Sequence, residues 1–416
     1  MLVADFDGNA VEELGVRRGV VENLTLKTLF CLGEASVREL ADQLHVTPFI
    51  VEGVFQRYRK DELMQAVGLA QGGHRVNLTA AGRNRAIELL GADQYVGPVP
   101  VSLAAYVERV KSQSARDVPV TAKDVREAFD DLVLDETTLA QLGTSVISGR
   151  AIFLHGPPGS GKTSVAEKLS ELFHREAISV PYAVEVDGQI ITVFDPNVHE
   201  AVGPAEGQGG DPRWVCCRRP RLMVGGELTI DMLDLQFNPL THYYTAPVQM
   251  RANNGFLIVD DFGRQRIPPA DLLNRWVVPL DRRVDFLTMV GGKKLQIPFD
   301  LVVVFATNLE PTTIVEEAFL RRIQTKINLS KVTPAQFHEI FTRACTAAGV
   351  SYDAALVDDV INRIEHELKQ PLRACQPRDL INQIKWRAKY QQHVPVLSAQ
   401  ALDDACRAYF LISGEA

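Results

Sequence analysis

"AIFLHGPPGSGKTSVAEKL", residues 151–169, sets three apolar residues, Ile152, Phe153 and Leu154, ahead of a glycine-rich turn and a run of helix formers. That order predicts strand, loop and helix. Within the loop Gly156, Gly159, Gly161, Lys162 and Thr163 keep the spacing G-x-x-x-x-G-K-[ST]. Glycines there allow backbone amides to wrap around phosphates at a helix start, a lysine supplies a point charge to the β and γ phosphates, and the threonine hydroxyl is placed to ligate Mg²⁺. The candidate nucleotide-binding residues are therefore Gly156, Pro157, Pro158, Gly159, Ser160, Gly161, Lys162, Thr163 and Ser164.

About a hundred residues later "FLIVDDFG", residues 256–263, runs from four apolar residues into two aspartates. A buried strand of this kind delivers Asp260 to the sheet edge that carries the phosphate loop, where an acid organises Mg²⁺. Asp260 joins Thr163 as a candidate metal ligand. A further strand, "LVVVFATN", ends at Asn308, placed to hold an attacking water or the γ phosphate. The implied fold is α/β, with a parallel sheet whose strand ends converge on one crevice.

With those motifs in place, residues 123 to 416 resemble an AAA+ ATPase. Gly156 to Thr163 match Walker A, Asp260 and Asp261 match Walker B, and Asn308 matches sensor 1. "EEAFLRRIQTKI" is similar to the segment carrying the arginine finger, with Arg322 the first choice and Arg321 the second. "QPRDLINQIKWRA" is similar to the sensor 2 helix and nominates Arg378. The resemblance implies ATP and Mg²⁺ as ligands, hydrolysis as the reaction, and a homo-oligomeric ring, most often a hexamer, in which the finger serves a neighbour's nucleotide. An arginine suits that role because it stays charged against the γ phosphoryl oxygens.

A narrower resemblance is to the clade of MoxR, magnesium chelatase and enhancer-binding activators. There a β-hairpin precedes sensor 1 and an insert interrupts the preceding helix. Gly291-Gly292 marks the hairpin turn, with Lys293 and Lys294 near its tip, and "GGELTIDMLDLQFNPLTHYYTAPVQM" occupies the place of the insert. In that clade such loops touch the substrate. Tyr243 and Tyr244 are therefore candidate contacts, although aromatics at this spacing more often pack in a core. The activators' polymerase-contacting loop sequence is absent.

The second acid, Asp261, stands where the family usually has glutamate. One missing methylene draws the carboxylate back by about 1.5 Å from a water it would polarise. Slow but real hydrolysis is expected, with Asp261 as base.

The chain of 416 residues is long enough for two or three domains. It has 46% hydrophobic and 23% charged residues, and no apolar run nears the roughly 20 residues of a membrane span. An acidic amino terminus without an apolar signal core argues for the cytoplasm and against membrane insertion. Six cysteines without a C-x-x-C pair suggest neither zinc nor a disulfide framework. With a net charge of −8, any nucleic-acid contact requires a local patch.

Residues 1–97 read as helix, helix, helix and hairpin, a pattern that resembles a winged-helix domain. Ser36 and Glu39 form a capping box, and Thr47 with Pro48 begins the third helix. That helix opens "TPFIVEGVF", with few polar or basic groups to read a DNA groove, and acids outnumber bases up to Gly97. Docking to a protein client is favoured over DNA, although Arg57, Arg59, Lys60, Arg75, Arg83 and Arg85 could gather on one side. Residues 98–122 read as a linker, 123–330 as the ATPase core and 331–416 as a lid of four helices. "GPAEGQGGDPRW" is expected to be a mobile loop, and "CCRRPR" a local basic cluster.

Overall fold

The computed structural model describes residues 13–70, 73–173, 176–203, 210–314, 321–329 and 332–410. The expected Gly-rich loop falls largely on 204–209, outside the described residues.

The amino-terminal unit follows the order read from the sequence. Helices Arg18–Leu32, Val37–Leu44 and Pro48–Lys60 precede strands β2 (Met64–Ala70) and β3 (Gly73–Leu78), and helix Ala80–Ala92 closes the unit. A short strand that the pattern does not reveal, β1 (Glu34–Ser36), pairs with β3, giving a β1-β3-β2 antiparallel sheet. Ser36 and Glu39 make the expected capping box, at 3.1 and 2.7 Å. Thr47 occupies the cap position of the third helix, but its side chain makes no capping bond. Leu24, Leu29, Leu40, Val51, Phe55 and Val76 form the core.

This unit is not strung on a loose tether. Its core takes in Ala183 and Ile190 from the following region, and Tyr243 packs against it with its ring 5.8 Å from Tyr95. Residues 98–122, read as a linker, instead carry strand β4 (Val101–Ser102) and helix Leu103–Ser112, whose Tyr106 is buried. β4 is the edge of a mixed sheet of order β11-β12-β8-β7-β4, in which β7 (Ala183–Val186) and β8 (Gln189–Thr192) form a hairpin and β11 (Gln236–Phe237) pairs with β12 (Tyr244–Thr245). Tyr244 is buried in that sheet. Both tyrosines proposed as substrate contacts therefore serve as packing, because the insert folds back on the amino-terminal unit.

Arg213 ties these parts together. Its guanidinium is fully paired, to Asp211 and to the backbone carbonyls of Leu14 (2.8 Å) and Pro100 (3.3 Å).

The central sheet has the order β10-β13-β16-β5-β17, all parallel, formed by Arg221–Val224, Phe256–Val259, Val302–Thr307, Ile152–His155 and Thr325–Asn328 respectively. Its apolar runs are continuous because both faces are covered. Phe153, Leu257, Val303 and Phe305 meet Trp276 of helix Pro269–Arg282 on one face. Ile152, Leu154, Ile258 and Val304 meet Val165 and Leu169 of helix Lys162–Glu171 on the other.

Between helix Pro269–Arg282 and β16 runs the expected hairpin, β14 (Val284–Thr288) and β15 (Lys294–Pro298), turned by Gly291 and Gly292 at φ 96° and 83°. Its tip is held at home: Lys293 contacts Asp187 in the β7–β8 turn, and the Val290 N–H donates to the Tyr244 hydroxyl at 3.0 Å.

Four carboxy-terminal helices, Pro334–Ala348, Ala354–Asn362, Gln376–Tyr390 and Ala399–Tyr409, pack around Phe337, Phe341, Leu380 and Cys406, as their boundary residues predict. Among the described residues no helix is long and apolar enough to cross a membrane.

Replacing Arg213 with alanine strands Asp211 and two carbonyls at the seam. Urea unfolding should show a loss of about 1–3 kcal/mol, Asp211 remaining partly hydrated, and protease should reach residues 97–101 sooner than in the parent protein.

Candidate nucleotide site

Strand β5 ends at His155 and the chain turns through Gly156, Gly159 and Gly161, all at positive φ (151°, 78° and 89°). Gly159 and Gly161 lie well inside the region that favours glycine. Helix Lys162–Glu171 starts at once, so its unpaired amides face the loop. Lys162 is buried and folds back into that cradle, its Nζ donating to the carbonyls of Gly156 and Pro157 at 2.9 Å each. Burial lowers its pKa, while the nearby Asp260 and Asp261 oppose the shift. Pro157 and Ser160 are half-buried in the loop, and Pro158 and Ser164 are exposed on its outside.

The Thr163 hydroxyl donates to Asp260 Oδ2 at 2.9 Å. Hydroxyl and carboxylate are both hard oxygen ligands of the kind Mg²⁺ takes beside substrate phosphates, so this pair fits the ion. Among the described residues no group of three or more His, Cys, Asp or Glu side chains is placed to hold a metal ion.

Asp261 has a left-handed backbone, φ 48°, which turns its exposed carboxylate away from the strand. The Asn308 amide donates to that carboxylate at 3.1 Å, and the Asp261 N–H donates to Asp260 Oδ1 at 2.9 Å. Gln265, which the sequence does not single out, supports the turn by donating to the Asp260 carbonyl at 2.8 Å and accepting from the Gly263 N–H at 2.8 Å. The phosphate loop, Asp260, Asp261 and Asn308 thus meet at one crevice.

The carboxy-terminal helices meet this crevice through residues just before the third of them. The Cys375 N–H donates to the Gly159 carbonyl at 3.1 Å, and Arg373 lies beside the same glycine with its Nε buried and without a partner among the described residues. Arg378, the residue nominated from the sequence, has a side chain 73% exposed with Asp379 at 3.9 Å. Arg373 is therefore the lid guanidinium next to the phosphate loop, and only folding of residues 368–376 onto Gly159 reveals it.

Arg322 and Arg321 stand apart from the protomer's own phosphate loop, just before β17 at the opposite edge of the sheet. Arg322 donates to Asp281 at 3.0 Å.

Residues 333–408 match the model of a family described as "Domain of unknown function (DUF8689)". "Uncharacterized protein YojN" of Bacillus subtilis (strain 168) is 37% identical over 68 residues, 16% of this chain. The match spans about a fifth of that relative's length, 21%. Among solved structures, the Thermotoga maritima RuvB Holliday junction branch migration motor is similar over 70% of each chain at 13% identity and a TM-score of 0.38. NtrX from Brucella abortus in complex with ADP is similar over 70% of this chain and 59% of that one, at 13% identity and a TM-score of 0.40.

At Gly159 an added Cβ would lie 2.3 Å from Cys375 Sγ, on a backbone of φ 78°. Gly159→Ala should weaken ATP at least tenfold in a fluorescent-nucleotide titration, as expected for about 1–2 kcal/mol of backbone strain plus an unseated lid. Adding Cys375→Ala should recover part of the loss by restoring room without relieving the backbone.

Proposed function

We propose that the protein is an AAA+ ATPase that binds MgATP in this crevice, hydrolyses it slowly and uses the cycle to remodel or assemble a protein partner. The observation that carries the reading is the Thr163–Asp260 and Asn308–Asp261 pair of contacts beneath one glycine-rich loop.

On this reading Lys162 leaves the carbonyls of Gly156 and Pro157 for the β and γ phosphates, exchanging neutral acceptors for charged ones. Thr163 and Asp260 would hold Mg²⁺, which would neutralise charge on the phosphate oxygens. Asn308 fixes one oxygen of Asp261 and leaves the other to accept a proton from the attacking water. The aspartate is a methylene shorter than the usual glutamate, so the water has farther to come and turnover is slow. Arg373 in the lid reads the nucleotide from the side of Gly159, and Arg378 remains the alternative. Arg322, or Arg321, reaches a neighbour's γ phosphate after leaving Asp281, which requires a homo-oligomeric ring such as a hexamer.

The hairpin tip and the insert support membership of the MoxR and magnesium chelatase type. The unpaired state of all six cysteines suits a reducing compartment such as the cytoplasm. A DNA-regulated switch finds less support. Of the six basic residues nominated, Arg57 is paired with Glu22, Arg75 with Glu34 and Arg85 with Glu88, which reduces the charge they would offer a phosphate backbone.

Phosphate release with Mg²⁺ and ATP tests the reading. Lys162→Ala and Asp261→Asn should each lower the rate about 100-fold or more, whereas Asp261→Glu should keep or raise it. Mixing inactive Lys162→Ala with inactive Arg322→Ala should restore turnover, since one supplies the finger and the other the loop. A parent protein no faster than Lys162→Ala would refute hydrolysis.

A further inference from the structure

The opposite edge of the sheet, where the strands begin, carries a cluster of cations that the nucleotide chemistry does not use. Arg150 lies two residues before β5, and Arg283 links helix Pro269–Arg282 to β14. Arg116 comes from the turn Ala115–Asp117. The chain brings them together through backbone contacts. Arg283 Nη1 donates to the Leu301 carbonyl at 3.0 Å, beside Asp300, while its Nη2 is buried with no partner among the described residues. The Arg116 side chain lies across Gly149, next to Arg150: a Cβ on that glycine would come within 2.6 Å of Arg116 Cγ. Its Nε stands 4.0 Å from Asp300 Oδ1.

Asp300 is a poor counter-charge for three guanidinium groups. Its Oδ1 also accepts from the Ser114 hydroxyl at 3.0 Å, and its Oδ2 from the Asn254 amide at 2.8 Å. Arg150 is exposed and has no ion pair among the described residues. Three cations against one carboxylate leave about two unbalanced positive charges at this spot, in a chain whose net charge is −8. The strain registers on Arg283, whose pKa falls to about 10, through burial first and repulsion by Arg116 and Arg150 as well, with Asp300 opposing.

The geometry points to a second oxyanion site on this edge, in which Arg150 and Arg116 grip a free doubly charged phosphate and buried Arg283 supplies charge from beneath. Two unbalanced charges match such an anion, and guanidinium forks donate to two of its oxygens at once. The four residues of β5 keep the site about 13 Å from the phosphate loop, so it is separate from the nucleotide crevice. It does not rest on the proposed ATPase activity.

The test uses the full-length chain carrying Lys162→Ala, which removes the cation of the other phosphate-binding loop. Inorganic phosphate and pyrophosphate are titrated calorimetrically without Mg²⁺. Binding is expected, weakened at least tenfold by Arg150→Gln and lost in the Arg116→Gln, Arg150→Gln double variant. Arg150→Lys, which keeps the charge and loses the fork, should bind less tightly than the parent and more tightly than Arg150→Gln, and Arg85→Gln, on a distant exposed pair, should leave the affinity unchanged. No binding of either anion to the Lys162→Ala chain, or equal affinity after Arg150→Gln, would overturn the proposal. Arg150 is exposed, so its loss is not expected to unfold the chain.

Discussion

Everything at the candidate site depends on the register of three parallel strands. Val259 lies level with Phe305, Phe305 with Phe153, and Thr307 with His155. The residues that follow these strands, Asp260 and Asp261, Asn308, and the phosphate loop, are therefore released at one edge within hydrogen-bond reach of one another. A slip by one residue in β13 would exchange its two buried faces, Leu257 and Val259 for Phe256 and Ile258, as well as withdraw the acids. The apolar interior and the polar crevice are thus fixed by the same pairing.

The residues of the crevice were legible because each sits at the end of a strand whose apolar run is continuous, so a motif and its place in the sheet are read from the same few residues. The helical lid was legible for a similar reason, since Thr333, Gly349 and Ser398 mark helix ends by local chemistry. What escaped was nonlocal. Nothing in "HYYTAP" says that Tyr243 will meet Tyr95, which lies 148 positions earlier in the chain. Arg373 and Arg378 look alike on paper, and only the seating of Cys375 against Gly159 separates a guanidinium beside the loop from one in solvent. Thr47 has the residue type of a cap, yet its side chain makes no capping bond.

The contacts between parts differ in kind, and this bears on what can move. The amino-terminal unit shares apolar core with the mixed sheet and is stitched to it by Arg213, by the bond from the Gln94 N–H to the Thr241 carbonyl and by that from the Val99 N–H to the Leu44 carbonyl, each 2.8 Å. A joint of this sort resists hinging because opening it exposes packed apolar surface. The lid meets the phosphate loop through a backbone hydrogen bond and a thiol laid against a glycine. Such a joint can open with little loss of buried area, so the softer boundary runs through the nucleotide crevice itself.

The hairpin tip is tied by contacts of two kinds. Asp187, in the β7–β8 turn, accepts from Arg17 at 2.8 Å on one side and contacts Lys293 of the hairpin on the other. All three side chains are about half exposed, so these ion pairs are weak and replaceable. The hairpin joins β14 to β15 just ahead of β16, the strand that carries Asn308. The firmer tie is the Val290 N–H bond to the Tyr244 hydroxyl at 3.0 Å, and Leu287, Met289, Leu295 and Ile297 of the hairpin region share a buried cluster with Tyr244, so the hairpin is anchored to the mixed sheet itself.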